Sequence, residues 1–373
     1  MRKTFKYRLY PTATQQELLR MQLFEACCLY NAALQERREA YRTHGAALNY
    51  YTQAKQLKEI RAAGDLLLPN YHCAQDVLKR LDRAFQAFFR RIKRGEKPGF
   101  PRFKSSQRYD SITFPSHGDG NRLLGKHLRI QGVGEIKIKL HRPVDGEIKT
   151  VTVKRECNQW FVCFSVECAK KLLPALDNAI GIDVGLESFA VLSNGEAIQN
   201  PRWYREAEAK LRRAQRKVAR RKKGSQRRRK AVALLQKRHA RIWRLRNEFQ
   251  HKQSYKLMQN YGTVAMEDLK VQGLAGGMLS KAVHDVGWAS FFAKIAHKAE
   301  SAGRNLIKVN PAGTSQTCLC GATVRKLLSD REHACSACGL VEPRDLVSAH
   351  VILQRARISP SNLNVGEVAQ CVV

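Results

Sequence analysis

The chain has 373 residues, of which 43% are hydrophobic, so it is long enough for two or three domains with substantial cores. Its formal net charge of +35 at pH 7 points to a polyanionic partner, nucleic acid first, with an anionic membrane as the alternative. We find no signal peptide and no apolar run of about 18 residues that would span a bilayer, so we expect a cytoplasmic protein whose 11 cysteines are mostly reduced.

The N-terminal strand and the first helix have clear local signals. Residues 3–10 alternate basic and apolar side chains, which predicts a strand that Pro11 ends. Thr14 and Glu17 have the spacing of a capping box, which predicts a helix that begins there and runs to about Tyr41.

Two further helices are expected, near residues 52–62 and over residues 71–93. In the longer one, apolar residues recur three and four positions apart, a stripe that predicts a core-facing side opposite a basic one. The stripe consists of Leu78, Leu81, Phe85, Phe88 and Ile92. Residues 14–93 therefore predict a helical subdomain with a basic surface, and residues 98–104 form a rigid, basic, aromatic connector after it.

Between residues 111 and 168 the hydrophobic pattern changes to a period of two. Trp160, Val162, Phe164 and Val166 form the longest alternating run. Several short strands at this spacing predict a small β-barrel. We expect residues 3–10 to add a strand to it, which makes the helical subdomain an insertion in the barrel.

Residues 179–185 (AIGIDVG) predict an apolar strand with one carboxylate, Asp183, and residues 188–193 predict a second strand. Asn194-Gly195 favours a type I′ turn toward a short third strand. A carboxylate in a buried strand is costly without a partner. Either a metal ion neutralises Asp183, or its side chain bonds its own backbone at the strand end.

Residues 205–252 are the most basic part of the chain, with twenty Lys and Arg against three Glu. They predict two helices with a break near residues 220–225. Repulsion among so many cations would oppose folding unless phosphates lie alongside, so we expect phosphate contacts here. The candidate nucleic-acid-binding residues are Arg220, Arg221, Lys222, Arg227, Arg228 and Arg229.

Two later carboxylates complete a pattern with Asp183. Residues 263–269 predict an apolar strand that ends at Glu267, and Asp345 lies at the start of an amphipathic helix, where helix capping is the alternative role. A fold of the RNase H type brings a strand Asp, a strand-end Glu and a helix-start Asp to one edge of its sheet. Three carboxylates there can hold two Mg²⁺ ions that promote phosphodiester cleavage.

Four cysteines in two pairs precede Asp345 and resemble a zinc ribbon. The pairs are Cys318 with Cys320 and Cys335 with Cys338. Only one residue separates the first pair, which makes it harder for both thiolates to reach one ion, so His333 or Asp330 could replace one of them. A ribbon that has lost its metal and is held by packing is the alternative.

Several motifs together resemble the TnpB family, the RNA-guided DNA nucleases encoded by bacterial insertion sequences and related to type V CRISPR effectors. Each motif is weak alone, but their order and spacing along nearly the whole chain are specific. They are YRLYP at 7–11, PGFPRFK at 98–104, GIDVG at 181–185, MEDL at 266–269, TSQTC at 314–318 and Arg344-Asp345.

The resemblance implies an α/β multidomain protein whose nuclease domain is RNase H-like, of the RuvC type. Residues 1–13 and 111–172 would form a β-barrel wedge domain, and residues 14–110 a helical recognition domain. The nuclease domain would cover residues 173–353, with basic helices at 205–260 and a zinc-ribbon-like insert at 312–341. Residues 354–373 would be a disordered tail.

By the same resemblance, Asp183, Glu267 and Asp345 are the catalytic triad of a DNA endonuclease. Its cofactors would be two Mg²⁺ ions, for which Mn²⁺ could substitute, zinc, and a guide RNA from the same element. It would cleave double-stranded target DNA next to a short duplex motif in a bacterial or archaeal cytosol. By family position, the residues that contact this motif would be Tyr51, Lys55, Gln56 and Gln75, for which solvated polar helix positions are the alternative.

Three features depart from the family pattern: the shortened first cysteine pair, Pro343 where Asp is usual, and Val347 and Val351 where Asn is usual. They leave the three carboxylates intact but could weaken the support of Asp345 and lower activity. Two other functions stay open, a guide-directed DNA-binding protein that cleaves poorly and a transposase that performs strand transfer. The second is disfavoured because we identify no separate helix-turn-helix motif.

Overall fold

The computed structural model describes residues 1–274, 276, 280–327 and 329–356. The chain divides into two compact units, residues 1–169 and residues 170–373. Most of the predicted C-terminal tail, with Cys371, lies outside the described residues. Gln354 and Arg355, expected to belong to that tail, instead form the end of the last described helix. In the described part of the chain, no helix is both long and apolar enough to cross a membrane.

The first unit is built on a seven-stranded antiparallel sheet. Its strands are β1 (Arg2–Tyr10), β2 (Ser111–Phe114), β3 (Asn121–Leu124), β4 (His127–Ile130), β5 (Gly134–Lys139), β6 (Glu147–Glu156) and β7 (Gln159–Glu167). They pair in the order β2-β6-β7-β1-β5-β4-β3. The short strands β2 and β3 are its edges, so among the described strands the sheet is open by its hydrogen bonding, whereas the sequence predicts a small β-barrel.

The period-two pattern does identify the inner face of this sheet. Every second residue of the central strands is buried, because successive side chains point to opposite faces. The buried set includes Ile136, Ile138, Val151, Val153, Trp160, Val162, Phe164 and Val166. Leu9 of β1 pairs with Ile138 on one side and with Trp160 on the other, so the N-terminal strand completes the sheet as expected.

The helices between β1 and β2 are α1 (Ala13–His44), α2 (Tyr50–Ala62) and α3 (Tyr71–Lys93). The predicted cap of α1 is wrong by two residues. Thr12, not Thr14, is the N-cap, because its hydroxyl accepts from the Gln15 amide while the Gln15 side chain accepts from the Thr12 amide. α1 ends at His44, where Gly45 takes a φ of +62° that disfavours other residues.

Only the first half of the apolar stripe on α3 belongs to the core. Leu78 and Leu81 are buried, whereas Phe85 and Phe88 are half-buried and Ile92 is exposed. The last two turns of α3 therefore extend past the core and present apolar side chains to solvent. This corrects the expectation that the whole stripe faces inward.

The second unit is built on a five-stranded sheet with the order β10-β9-β8-β11-β12. Its strands are β8 (Ala179–Asp183), β9 (Ser188–Leu192), β10 (Ala197–Gln199), β11 (Thr263–Glu267) and β12 (Asn305–Val309). β8, β11 and β12 are parallel, so their carboxyl ends meet at one edge of the sheet. Two short strands, β13 (Glu332–Ala334) and β14 (Val341–Pro343), form a separate hairpin.

The helices of the second unit are α4 (Trp203–Ala219), α5 (Gln226–Asn260), α6 (Val271–Leu274), α7 (Ser280–Val286), α8 (Trp288–Ala302) and α9 (Arg344–Arg355). α9 packs directly on β8, and Gly181 makes this possible. A Cβ at Gly181 would lie 2.0 Å from the Ala349 carbonyl oxygen, so only glycine allows the helix to approach this closely.

The turn between β9 and β10 also differs in detail from the prediction. The Gly195 amide donates to the Leu192 carbonyl, and Gly195 has a φ of +86°, but Asn194 does not have a positive φ. A type I′ turn needs a positive φ at both central residues, so this connection is not a type I′ turn. The predicted third strand, β10, is present.

Candidate active site

Asp183 and Glu267 lie at the carboxyl ends of two adjacent parallel strands. Ile182 of β8 pairs with Met266 of β11, so the next residue on each strand is a carboxylate. Asp345 lies in the first turn of α9, one helical turn before Ala349, which packs against Gly181 of β8. The fold therefore brings the three carboxylates toward one edge of the sheet.

Burial and the neighbouring carboxylates shift the pKa of Asp183. Burial raises it well above its usual range, and the negative charges of Glu267 and Asp345 raise it further. The Arg344 guanidinium and a hydrogen bond from the Val184 amide act in the opposite direction. The hydrogen bond to its own backbone that is expected of a strand-end Asp is thus present. It does not outweigh the effects that raise the pKa of Asp183. The site carries an excess of negative charge that a cation would balance.

Glu267 is held by a neighbouring loop. The residue is 9% exposed, and its Oε1 accepts a hydrogen bond from the Thr314 hydroxyl. Burial raises the pKa of Glu267, while the Thr314 bond and the charge of Arg355 lower it. The Arg355 guanidinium also donates to the carbonyls of Asn310 and Ala312, so α9 and this loop together fix the glutamate.

Asp345 does not cap its helix. The N-cap position of α9 is Pro343, and no side chain makes a capping hydrogen bond there. The valines that replace the usual Asn residues, Val347 and Val351, are buried in the interior of the second unit. Helix capping, the alternative role considered for Asp345, therefore does not explain why a carboxylate lies at this position.

Three carboxylates supply the hard oxygen ligands that Mg²⁺ prefers. Among the described residues, the one group of three or more ligand atoms that all lie within 4.8 Å of one another is the cysteine cluster. The carboxylates are therefore more widely spaced than ligands of a single ion.

The four cysteines predicted to bind zinc form that cluster. The Sγ atoms of Cys318 and Cys338 are 3.6 Å apart, and those of Cys320 and Cys335 are 3.7 Å apart. A zinc ion with bonds of about 2.3 Å to four sulfurs in tetrahedral geometry separates them by about 3.8 Å. The amide of Cys338 donates to Cys335 and lowers its pKa to about 7, which favours the thiolate that a metal needs.

The short Cys318–Cys320 spacing thus does not keep its two thiols apart, because all four sulfurs lie within 4.8 Å of one another. His333 is fully buried, with Nδ1 against the Lys326 ammonium group and no described hydrogen-bond partner for Nε2. Asp330 accepts from the Leu327 amide and the Ser329 hydroxyl.

The basic segment forms α4 and α5, with the predicted break at residues 220–225. Arg220, Lys222, Arg227 and Arg229 are exposed, whereas Arg221 and Arg228 are half-buried. Arg228 donates to the carbonyls of Val218 and Arg221, so it joins the two helices rather than facing solvent. A surface groove between the helices is lined by Lys217, Arg221, Arg227 and Lys230.

The residues expected to contact the duplex motif lie on α2 and α3 of the first unit. Tyr51, Lys55 and Gln56 are exposed, and the Gln56 amide donates to Glu36. Gln75 is half-buried near the start of α3. Their role stays a prediction.

Sequence reasoning identified Thr314 only as part of a motif and missed Arg355. The signal for Thr314 was its place in TSQTC, directly before the first cysteine pair. Arg355 carries no motif, and its contacts depend on how α9 packs, which local patterns do not reveal.

Three family profiles match successive parts of the chain. One described as "Probable transposase" matches residues 163–277, and one described as "Cas12f1-like, TNB domain" matches residues 288–352. A third, described as "Helix-turn-helix domain", matches residues 1–46. In the structure, that segment is β1 followed by the single helix α1, so it does not have the conformation that the description names.

Relatives cover nearly the whole chain. It is 32% identical over 363 residues to a Streptomyces pristinaespiralis protein named "Putative RNA-guided DNA endonuclease", which spans 95% of this chain and 89% of the relative. It is 28% identical to the Escherichia coli K12 protein "Putative RNA-guided DNA endonuclease InsQ", over 94% and 91% of the two chains. A solved Cas12f1–sgRNA–target DNA complex contains a chain with a similar fold: the TM-score is 0.61 and the identity 16%, over 97% of this chain and 99% of the other.

Proposed function

This chain belongs to the TnpB family, and from that membership and its three carboxylates we propose that it is an RNA-guided, metal-dependent DNA endonuclease of a bacterial insertion sequence. A guide RNA from the same element would select the target, and cleavage would take place next to a short duplex motif. The second unit would be the RuvC-like nuclease domain, and the first would supply the wedge and recognition functions.

The observation that carries the proposal is the convergence of Asp183, Glu267 and Asp345 at one edge of the sheet. Burial and two neighbouring carboxylates raise the pKa of Asp183. Its ionised form therefore destabilises the fold unless a cation such as a metal ion lies beside it. Asp183, Glu267 and Asp345 would hold two Mg²⁺ ions, which supply an activated water and stabilise the leaving oxygen.

The chain's own residues would position the reacting groups. Thr314 and Arg355 fix Glu267 on one side of the site, and α9 sets Asp345 on the other. The groove lined by Lys217, Arg221, Arg227 and Lys230 would take the phosphates of the nucleic acid. Zinc in the cysteine cluster would hold the segment between Thr314 and α9 in shape.

The proposal is tested with protein purified together with its cellular RNA. We expect a discrete co-purifying RNA that ends in a guide, and cleavage of a matching duplex in Mg²⁺. Asp183→Ala, Glu267→Ala and Asp345→Ala should each abolish cleavage and retain binding of RNA and target.

The control is Asp268→Ala, the exposed neighbour of Glu267, which pairs with Lys308 and should leave cleavage intact. Guide-directed binding without cleavage by the wild-type protein would instead identify a DNA-binding repressor. Joined DNA products would identify a strand-transfer transposase.

A further inference from the structure

A cluster of phenylalanines lies exposed at the end of α3. It comprises Phe85, Phe88, Phe89 and Ile92 of the helix and Phe100 of the connector, together called the aromatic surface. Phe89 is 54% exposed and Phe100 46% exposed. Exposed apolar clusters of this kind are uncommon on soluble proteins and mark sites of interaction.

The rings are packed into a defined arrangement rather than scattered. The centroid of Phe100 lies 5.5 Å from Phe85 and 5.3 Å from Phe88, both in edge-to-face geometry. Phe88 makes a similar contact with Phe89 at 5.2 Å. The connector therefore folds back on α3 and holds the rings in place, while about half of Phe89 and of Phe100 stays open to solvent.

The rim of the aromatic surface is strongly basic. Residues 90–104 contain seven Lys and Arg against one acid, Glu96, which pairs with Arg94. The Arg91 guanidinium lies beside Gly99, 3.8 Å from where its Cβ would be. The Arg38 guanidinium stacks over Phe103 at 5.3 Å. The surface thus combines flat apolar rings with cations, the two groups that bind unpaired bases and their phosphates.

We propose that the aromatic surface binds an unpaired segment of RNA, with bases stacked on Phe89 and Phe100 and phosphates on the surrounding arginines and lysines. A second copy of the chain is a poor occupant, because the same face on both copies would oppose two basic rims. Paired DNA is also a poor occupant, because its bases are stacked on one another and leave no free faces.

RNA is favoured over unpaired DNA because of the order of events in the proposed function, on which this choice rests. The target DNA is a duplex until the guide opens it, whereas RNA presents unpaired bases to the protein from the start. The stacking site itself follows from the rings and charges and does not require that the protein cleave DNA.

The test uses the full-length protein freed of cellular nucleic acid and a labelled single-stranded RNA of about 12 nucleotides. Binding is measured by fluorescence anisotropy over a series of salt concentrations. The variant is Phe89→Leu with Phe100→Leu, which keeps apolar bulk and removes the aromatic faces. The matched control is Phe24→Leu, because Phe24 is 52% exposed on α1. Arg37 of the same helix contacts Phe85 of the aromatic surface, and Phe24 lies about 20 Å along the helix from Arg37, so it is outside that surface.

We expect the double variant to bind RNA at least fivefold more weakly with an unchanged salt slope, since stacking and not charge is lost. Binding of a blunt RNA duplex and the behaviour of Phe24→Leu should not change. Unaltered RNA affinity, or an equal loss in the control, would overturn the proposal. So would a loss confined to single-stranded DNA, or sedimentation showing a wild-type dimer that the double variant disperses.

A second measurement covers the case of a double variant that does not fold. Wild-type protein is photo-crosslinked to RNA containing 4-thiouridine, and the attached peptides are identified by mass spectrometry. Adducts on the peptides that contain Phe89 or Phe100 support the proposal, and adducts confined to other peptides contradict it. Neither measurement depends on cleavage, so a protein that binds RNA here and fails to cut DNA refutes the nuclease function alone.

Discussion

At the scale of single residues, the second unit concentrates unfavourable charge at Asp183. The folded chain holds this carboxyl in a place where ionisation is opposed by burial and by two other carboxylates. A group whose pKa is raised by folding stabilises the folded state only while it is protonated. Metal-free protein should therefore be weakened at neutral pH by its own candidate active site.

Asp183→Asn should raise the melting temperature of the metal-free protein at neutral pH. The folded-state pKa of Asp183 lies above its unfolded value of about 3.9, so the stabilisation from its proton is present below about pH 4 and is lost as the pH rises through the raised pKa. The gain from Asn should shrink as the pH falls, and each kcal/mol gained should add about 2–4 °C. Calorimetry over a pH series measures it.

Asp268→Asn serves as the comparison for this experiment, since Asp268 is exposed and pairs with Lys308. It should show no such gain. Mg²⁺ should stabilise the wild-type protein and have little effect on Asp183→Asn. A gain that is independent of pH would mean that Asp183 is not held above its ordinary pKa.

Thr314 should matter through its hydroxyl. Thr314→Val keeps the shape of the side chain but removes the donor to Glu267 and leaves a buried carboxylate oxygen unpaired, a loss of about 1–3 kcal/mol. Mn²⁺ binding, measured by electron paramagnetic resonance, should weaken about tenfold, and cleavage should slow with it. Thr314→Ser should restore both, and Thr323→Val, at an exposed position of the same unit, should leave Mn²⁺ affinity unchanged. Equal Mn²⁺ affinity in Thr314→Val and wild type would mean that Thr314 does not position Glu267.

At the scale of elements, local sequence patterns predicted which segments form strands and helices. They failed where contacts between distant parts of the chain determine which side chains are buried. The strands around Asp183 and Glu267 follow from apolar runs that end in a carboxylate, and α3 has the predicted bounds. The inward face of β7 follows from alternation. The predicted full burial of the α3 stripe was wrong, because periodicity shows that a helix has an apolar side but not how far its partner extends.

Turns and caps show the same limit at shorter range. Thr12 and Thr14 each lie three residues before a Gln or Glu, so both have the spacing of a capping box. Only the backbone conformation decides which of them caps α1. The short spacing of Cys318 and Cys320 suggested that their two thiolates could not both reach one ion. In the structure, all four cysteine sulfurs nevertheless lie close together. The pairing of Thr314 with Glu267 joins two elements far apart in sequence, so no local pattern contains it.

The cysteine cluster should carry one zinc ion per chain, and Cys335→Ser and Cys318→Ser should each remove it. Four sulfurs at the spacing of a tetrahedral site leave no spare ligand, so the loss of one should lower affinity steeply. Elemental analysis of purified protein measures the metal. Without zinc, the helix start that carries Asp345 should be less well placed, and cleavage should fall before RNA binding does.

Cys28→Ser is the control for the zinc measurement, because Cys28 is exposed and lies outside the cluster. Full zinc content after Cys318→Ser would point to a replacement ligand such as His333. Full activity in a protein without zinc would show that packing alone holds this segment.

At the scale of the whole molecule, charge is the dominant property. A net charge of +35 makes binding to nucleic acid depend steeply on salt, because each neutralised phosphate releases a counterion. Not every cation in the basic helices takes part, however. Arg228 has its guanidinium in contact with two carbonyls, whereas Arg227 and Arg229 beside it are exposed.

Replacing Arg227 and Arg229 with Gln should flatten the salt dependence of RNA binding by about 1.4–1.8 in the log–log slope, if both contact phosphates. Arg228→Gln should leave the slope nearly unchanged and instead lower the melting temperature, because the junction of α4 and α5 loses two hydrogen bonds. Anisotropy titrations and thermal melts separate the two effects. A slope that is the same in the Arg227/Arg229 variant and wild type would mean that those arginines are only solvated.

Asp345 lies on α9, the last described helix, so the candidate active site cannot be complete until translation has passed residue 345. Asp345 is the seventy-eighth residue after Glu267, and a ribosome adds that many residues in about 4 to 16 s. During that interval β8 and β11 can pair, but the third carboxylate has not yet been made. The proposed enzyme would therefore be unable to cut the DNA around its own translation site until α9 is in place.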